Sequence, residues 1–181
     1  MLKIDENPPM VHPETETFGD FSGRWWVGHT KSRAEKAFAW DLRRMQISYF
    51  LPMVDRVRMY GGRKRRVLLP LFPSYVFLCG TEEDRYRAMT TGHLCQTLDI
   101  ANQDSLIVEL EHLRSALVKK AELDFYPFTA VGRICRVCAG PFRGLEGIVV
   151  RRDGKCRLVL EVSILGQGAS LEIDADFLEP C

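Results

Sequence analysis

At 181 residues and 46% hydrophobic content, the chain is long enough to bury one medium core or two small ones, and none of its apolar runs approaches the roughly 20 residues that cross a bilayer. Its net charge is only +1, yet residues 24–80 hold twelve bases against three acids, while 1–23 and 81–129 are each net −4 and 130–181 is neutral. Such segregation points to a polyanion or an acidic protein surface as partner.

Residues 1–23 contain five acids, one Lys and three Pro. They lack the basic and apolar regions of a signal peptide, so a cytoplasmic location is expected, and the segment reads as a flexible acidic extension. "RWWVGHT" (24–30) reads as a strand, rich in aromatic and β-branched residues. In "KSRAEKAFAWDLRRMQI", Ala34, Ala37, Phe38, Leu42 and Met45 line one helical face, with the cations mostly off it. "SYFLPMV" is extended. "DRVRMYGGRKRRVLL" has the form of a β-hairpin turning on Gly61-Gly62, because a two-residue loop needs positive φ. Arg56, Arg58 and Tyr60 alternate with Val57 and Met59 there, so one side of the first arm is basic.

"PSYVFLCG" is a further strand, with Pro70 and Pro73 before it or at its start, where a missing N–H does least harm. "TEEDRYRAMTT" predicts a short helix capped by Thr81, and "HLCQTLDI" a strand. Leu106, Leu110, Leu113 and Leu117 recur at helical spacing in "SLIVELEHLRSALVKK". This order predicts an α+β fold, an antiparallel sheet flanked by helices. "AELDFYPFTAVG" has no periodicity and reads as a linker. Beyond it, short strands separated by Gly, with a hairpin signal at Asp153-Gly154, predict a small barrel. The expected organisation is an extension (1–23), an N-terminal α+β domain (24–118), a linker (119–129) and a C-terminal barrel (130–181).

The six cysteines are irregularly spaced, which suggests reduced thiols rather than a disulfide framework. The single CxxC, Cys135 to Cys138, falls on a strand, where an odd spacing sends the two thiols to opposite faces; structural thiols are expected, and no metal site. His93 and Cys95 share a strand face, but no orienting acid or phosphate loop accompanies them. An enzyme is therefore not expected, nor a cofactor.

With these elements placed, "WWVGHTKSRAEKAFAWDLRRMQISYFLP" is similar to the opening strand, K-x-R-x-E element and first helix of the NusG family of transcription elongation and antitermination factors, which includes specialised paralogs of the RfaH type. "LFPSYVF" is similar to that family's L-F-P-[GN]-Y-[LV]-F signature. Residues 130–181 resemble a KOW domain, an SH3-like β-barrel, through Gly132 and the G-P-F-x-G-x-x-G pattern at Gly140, Pro141, Phe142, Gly144 and Gly147.

The resemblance implies a factor that binds the β′ clamp of RNA polymerase through an apolar pocket, with Tyr75 and Phe77 on one strand face, Phe72 nearby and His29 on the first strand. Arg85 and Tyr86, with Asp84 and Arg87, fall where the family meets the β gate loop, although no HTTT element like that of RfaH is present. Lys31, Arg33 and Lys36, with Arg63, Lys64, Arg65 and Arg66, would meet upstream or non-template DNA through phosphates, sequence-blind and salt-dependent. Phe142, Ile164, Leu165, Gly166 and Gln167 would hold a second partner, Rho or a small-subunit ribosomal protein. The implied protein is a monomer, independent of metal and membrane, that bridges polymerase and favours its closed, processive state. The alternative is a KOW-containing ribosome-associated or RNA-binding protein.

Overall fold

The computed structural model describes residues 6–126, 132–152 and 154–181, leaving aside the side chains of Tyr60 and Arg152. The chain divides into two compact units, Met1–Gln103 and Asp104–Cys181. The first unit contains strands β1 (Val11–His12) and β2 (Arg24–Thr30), helix α1 (Glu35–Arg44), β3 (Ser48–Phe50), β4 (Met53–Tyr60), β5 (Arg63–Pro70), β6 (Tyr75–Gly80), α2 (Glu82–Met89) and β7 (Leu94–Asp99). Five of these strands form an antiparallel sheet in the order β1-β3-β6-β2-β7, while among the described residues β4 and β5 pair only with each other.

Order begins earlier than the sequence predicts. Rather than a flexible tail, residues 9–22 form a strap on the sheet edge. β1 pairs with β3, the Leu51 amide donates to the Met10 carbonyl (2.7 Å), and the Tyr49 hydroxyl donates to the Pro9 carbonyl (3.0 Å). Phe18 follows in a short 3-10 turn capped by Thr17, and it is fully buried against Trp25 (5.5 Å) and Phe50 (4.8 Å). Acidic composition obscures these few apolar and backbone anchors, which together offset the entropy of ordering the segment.

The two faces of the sheet bury different chemistries, as alternation along β6 requires. Val76 and Leu78 face one core with Trp26, Tyr49, Phe38, Ala39 and Leu42, the last three from α1. The buried positions of α1 are Glu35, Phe38, Ala39 and Leu42, so the stripe includes an acid and omits the exposed Ala37 expected on it. On the other face, Phe77 stacks over Phe50 and meets Phe72 edge-on, both at 6.2 Å. "SYFLPMV" is broken at Pro52: Ser48–Phe50 joins the sheet, and Met53 begins the hairpin.

α3 (Gln103–Val118), which lies in the second unit from Asp104 on, is followed by β8 (Asp124–Tyr126), β9 (Arg133–Val137), β10 (Glu146–Arg152), β11 (Lys155–Val162), β12 (Gln167–Glu172) and β13 (Leu178–Pro180). The six strands form one antiparallel sheet, β13-β9-β10-β11-β12-β8. The expected linker is not free of structure: Asp124–Tyr126 is an edge strand paired with Gly168–Ser170, and Arg157 bridges to Asp124 at 3.1 Å. Residues 127–129 of that linker lie outside the described residues.

α3, expected with the N-terminal domain, groups by compactness with the C-terminal strands. Its Glu109 accepts from the Ser163 amide (3.1 Å) and hydroxyl (2.6 Å), and Lys119 donates to the Arg143 carbonyl at 3.5 Å. β10 and β11 pair antiparallel with Arg152 opposite Lys155; Asp153, of the expected Asp153-Gly154 turn, lies outside the described residues. Gly147 of the glycine pattern sits where an added Cβ would approach the Val159 carbonyl oxygen to 2.5 Å, so the neighbouring strand leaves room only for hydrogen. No helix among the described residues is long and apolar enough to cross a membrane.

Candidate docking surfaces

The turn before β6 joins the two N-terminal motifs. Ser74 has φ 67°, a left-handed conformation that an L side chain adopts only under constraint. Both of its backbone groups are held: its amide donates to Glu35 Oε1 at 2.7 Å, and its carbonyl accepts from the Thr30 amide at 2.8 Å. Glu35 is only 6% exposed. The acid of K-x-R-x-E is therefore a clamp on the turn of L-F-P-S-Y, a role that sequence reading missed because its partner lies 39 residues away.

From this turn Tyr75 enters β6 opposite His29 on β2. The two rings stack at 5.1 Å with an interplanar angle of 27°, and both are half-buried. Phe72 and Phe77 do not stand beside them as an open wall. Both are fully buried, because the aromatic row on this face covers itself. The accessible part of the expected pocket is the His29–Tyr75 pair.

On α2, Tyr86 is 67% exposed, while Arg85 pairs with Glu82 at 2.7 Å and donates to Thr97 Oγ1 at 3.2 Å. Asp84 serves the helix rather than a partner. It completes a capping box with Thr81, and those hydrogen bonds hold its carboxyl below the usual carboxylate range. Arg87 is tied to Asp84 and to the Met45 carbonyl, each at 3.1 Å.

The predicted hairpin forms with Gly61 and Gly62 at φ 53° and 76°, the positive values its two-residue loop requires. Arg63, Lys64, Arg65 and Arg66 are all exposed; Arg66 pairs with Asp55 at 2.7 Å. Lys31 and Arg33 are exposed in the turn before α1. Lys36, expected with them, is directed elsewhere: its ammonium donates to the Leu68 carbonyl at 2.5 Å, and partial burial lowers its pKa. It ties α1 to the base of the hairpin.

In the second unit, Ser163–Leu165 form a 3-10 turn between β11 and β12, closed by Gly166 at φ 58°. Ile164 is 38% exposed, Leu165 and Gln167 are half-buried, and Glu109 pins the start of the turn through Ser163. Phe142 is half-buried in the glycine-rich loop before β10. These residues thus belong to two loops of one sheet.

All six cysteines are free thiols, and no group of metal ligands occurs among the described residues. Cys135 is buried, whereas Cys138 is half-buried with its thiol directed to the Phe177 carbonyl at 3.1 Å. His93, for which the sequence offered no acid, pairs with Asp41 at 3.1 Å and joins α1 to the start of β7. Burial pushes the Cys79 thiol up to about 12. At about pH 8 an alkylating reagent should modify exposed Cys95 and Cys181 rapidly, and Cys79 and Cys135 only after denaturation. Mass spectrometry with time checks this order; fast labelling of Cys79 would contradict it.

The family described as transcription termination factor NusG matches residues 23–102, and the KOW motif matches residues 131–155. The transcription termination/antitermination protein NusG of Rickettsia conorii is 27% identical over 168 residues, spanning 83% of this chain and 86% of that protein. A solved structure, described as domain interaction in Thermotoga maritima NusG, aligns with a TM-score of 0.44 at 18% identity, over 86% of this chain and 96% of that one.

Proposed function

The chain belongs to the NusG family of transcription termination and antitermination factors, and from that premise we propose that its N-terminal unit docks on the β′ clamp of RNA polymerase through the His29–Tyr75 pair. The observation that carries this reading is the Glu35–Ser74 clamp. It fixes the turn that delivers Tyr75 to His29, at the accessible end of an otherwise buried aromatic row. A half-buried ring held rigidly on a strand is the chemistry of an interface anchor, since little side-chain freedom remains to be lost on binding.

The exposed side of α2, with Arg85 and Tyr86, is the second contact, on the β gate loop. A factor that touches both sides of the polymerase channel binds the closed state more tightly than the open one, and that difference in affinity favours processive elongation. Lys31, Arg33 and part of the hairpin's cationic run contact upstream or non-template DNA. Ile164, Leu165, Gly166 and Gln167, with Phe142, recruit the second partner, Rho or a small-subunit ribosomal protein.

Tyr75→Ala should weaken binding to an isolated β′ clamp fragment by about 2 kcal/mol, roughly thirtyfold, with an unchanged circular dichroism spectrum and unfolding midpoint. Retained clamp affinity would overturn the docking reading. Binding to ribosomal RNA without binding to polymerase would replace it with the ribosome-associated one.

A further inference from the structure

The hairpin register sorts its cations onto two unlike faces. Directly opposed residues of an antiparallel pair project to the same side. Arg58 lies opposite Arg65, Tyr60 opposite Arg63, and Arg56 opposite Val67, so four arginines share one face. The hairpin's single acid, Asp55, is on the other face, where it pairs with Arg66. There Lys64 lies opposite Met59 and Arg66 opposite Val57, and both apolar side chains are 61% exposed.

Like charges directly across a strand pair are destabilising. The opposition of Arg58 and Arg65, without a carboxylate on their side of the hairpin, is thus a local electrostatic conflict that a bound polyanion would relieve. The other face has no such conflict. The base of the ribbon is anchored by Lys36 on the Leu68 carbonyl, by the Leu71 amide on the Pro52 carbonyl (2.8 Å), and by buried Met53 and Val67. Beyond that base Arg58, Arg63 and Arg65 stand on a two-stranded sheet joined to no other among the described residues, with the same-face side chains of Arg63 and Arg65 about 6.7 Å apart along the strand.

We propose that the face formed by Arg56, Arg58, Arg63 and Arg65 is a phosphate-binding face for a nucleic-acid backbone, and that Lys64 and Arg66, adjacent in sequence, lie outside it. The proposal rests on the reading of the chain as a transcription factor and deepens it by dividing the cationic run. Guanidinium forks at strand spacing suit a regular array of phosphates, each able to accept two parallel hydrogen bonds. Contacts of this kind are blind to sequence.

A charge-matched comparison tests the division on the full chain, without polymerase. Fluorescence anisotropy with a short random-sequence duplex, and separately with a single strand, is measured between about 50 and 200 mM salt. R63A/R65A and K64A/R66A each remove two cations from one segment. If the arginine face holds the phosphates, R63A/R65A should reduce the slope of log affinity against log salt by about 2 on duplex and about 1.4 on single strand. K64A/R66A should change it by less than half as much. The size of the wild-type slope and affinity in the two arms identifies the preferred strand state. Equal effects of the two variants would overturn the proposal in favour of diffuse charge. Absence of binding to either nucleic acid, or tighter binding to polyglutamate, would overturn it in favour of an acidic protein partner. Clamp binding through Tyr75 is read separately, so failure here is distinguishable from failure of the polymerase reading.

Discussion

Phe18→Ala should lower the unfolding free energy of the N-terminal unit by roughly 3–5 kcal/mol, the range for removing a fully buried aromatic ring. The ring contributes nothing to the sheet's hydrogen bonding. It fills the space against Trp25 and Phe50, and Phe50 in turn stacks on Phe77. Its loss leaves a cavity in the aromatic row and loosens the strap, whose other ties include two bridging residues, hydrogen bonds to backbone carbonyls, and the rings of His12 and Phe21 on Tyr49 and Trp25. Chemical denaturation measures the loss, and limited proteolysis within residues 9–22 reports release of the strap. Phe21→Ala, which removes a half-buried ring from the same cluster, should have a smaller effect. A Phe18→Ala protein with unchanged midpoint and unchanged cleavage would show that the strap does not contribute to the core.

The second large effect is expected at Glu35. Glu35→Ala removes a charge-assisted acceptor from the Ser74 amide, and the loss should be about 2–3 kcal/mol, since such bonds contribute about 1.5–3 kcal/mol and a stranded donor adds its own penalty. Glu35→Gln keeps an acceptor oxygen and should recover part of it. Ser74→Gly in the Glu35→Ala background should recover about 1 kcal/mol, because glycine adopts the left-handed conformation without the clamp. Amide resonances of Ser74 and Tyr75 should shift in Glu35→Ala and return in the double variant. Loss of less than 0.5 kcal/mol, an order-of-magnitude threshold set by ordinary surface substitutions, would mean that the turn holds itself.

Local signals carried much of the architecture. The Gly61-Gly62 hairpin, the Thr81-capped helix and the pairing of β10 with β11 all rest on interactions among residues close in sequence, where propensity and turn stereochemistry decide the outcome. The resemblance at "LFPSYVF" and "GPFRGLEG" likewise lies in contiguous residues, the first within the NusG match and the second within the KOW match. The hairpin register also follows locally, because a two-residue loop leaves one pairing of the arms.

The remaining features depend on partners distant in sequence. Apolar periodicity marked the helix of α1 but chose Ala37 over Glu35 and Ala39, since a buried acid is acceptable only when a donor waits for it, and Ser74 is supplied by another element. Charge placed Lys36 with the nucleic-acid cations, whereas the carbonyl of Leu68 draws it to the hairpin base. Composition marked residues 1–23 as a tail, whereas the edge of β3 and the rings of Trp25 and Phe50 order residues 9–22. By itself, then, the sequence determined most of the helices and strands outside the N-terminal strap and the expected linker, how the hairpin turns, and which family signatures the chain carries, because those are settled within a few residues. Only the tertiary structure decided which polar groups are committed to the fold and which remain for a partner. That division depends on where distant donors, acceptors and rings meet.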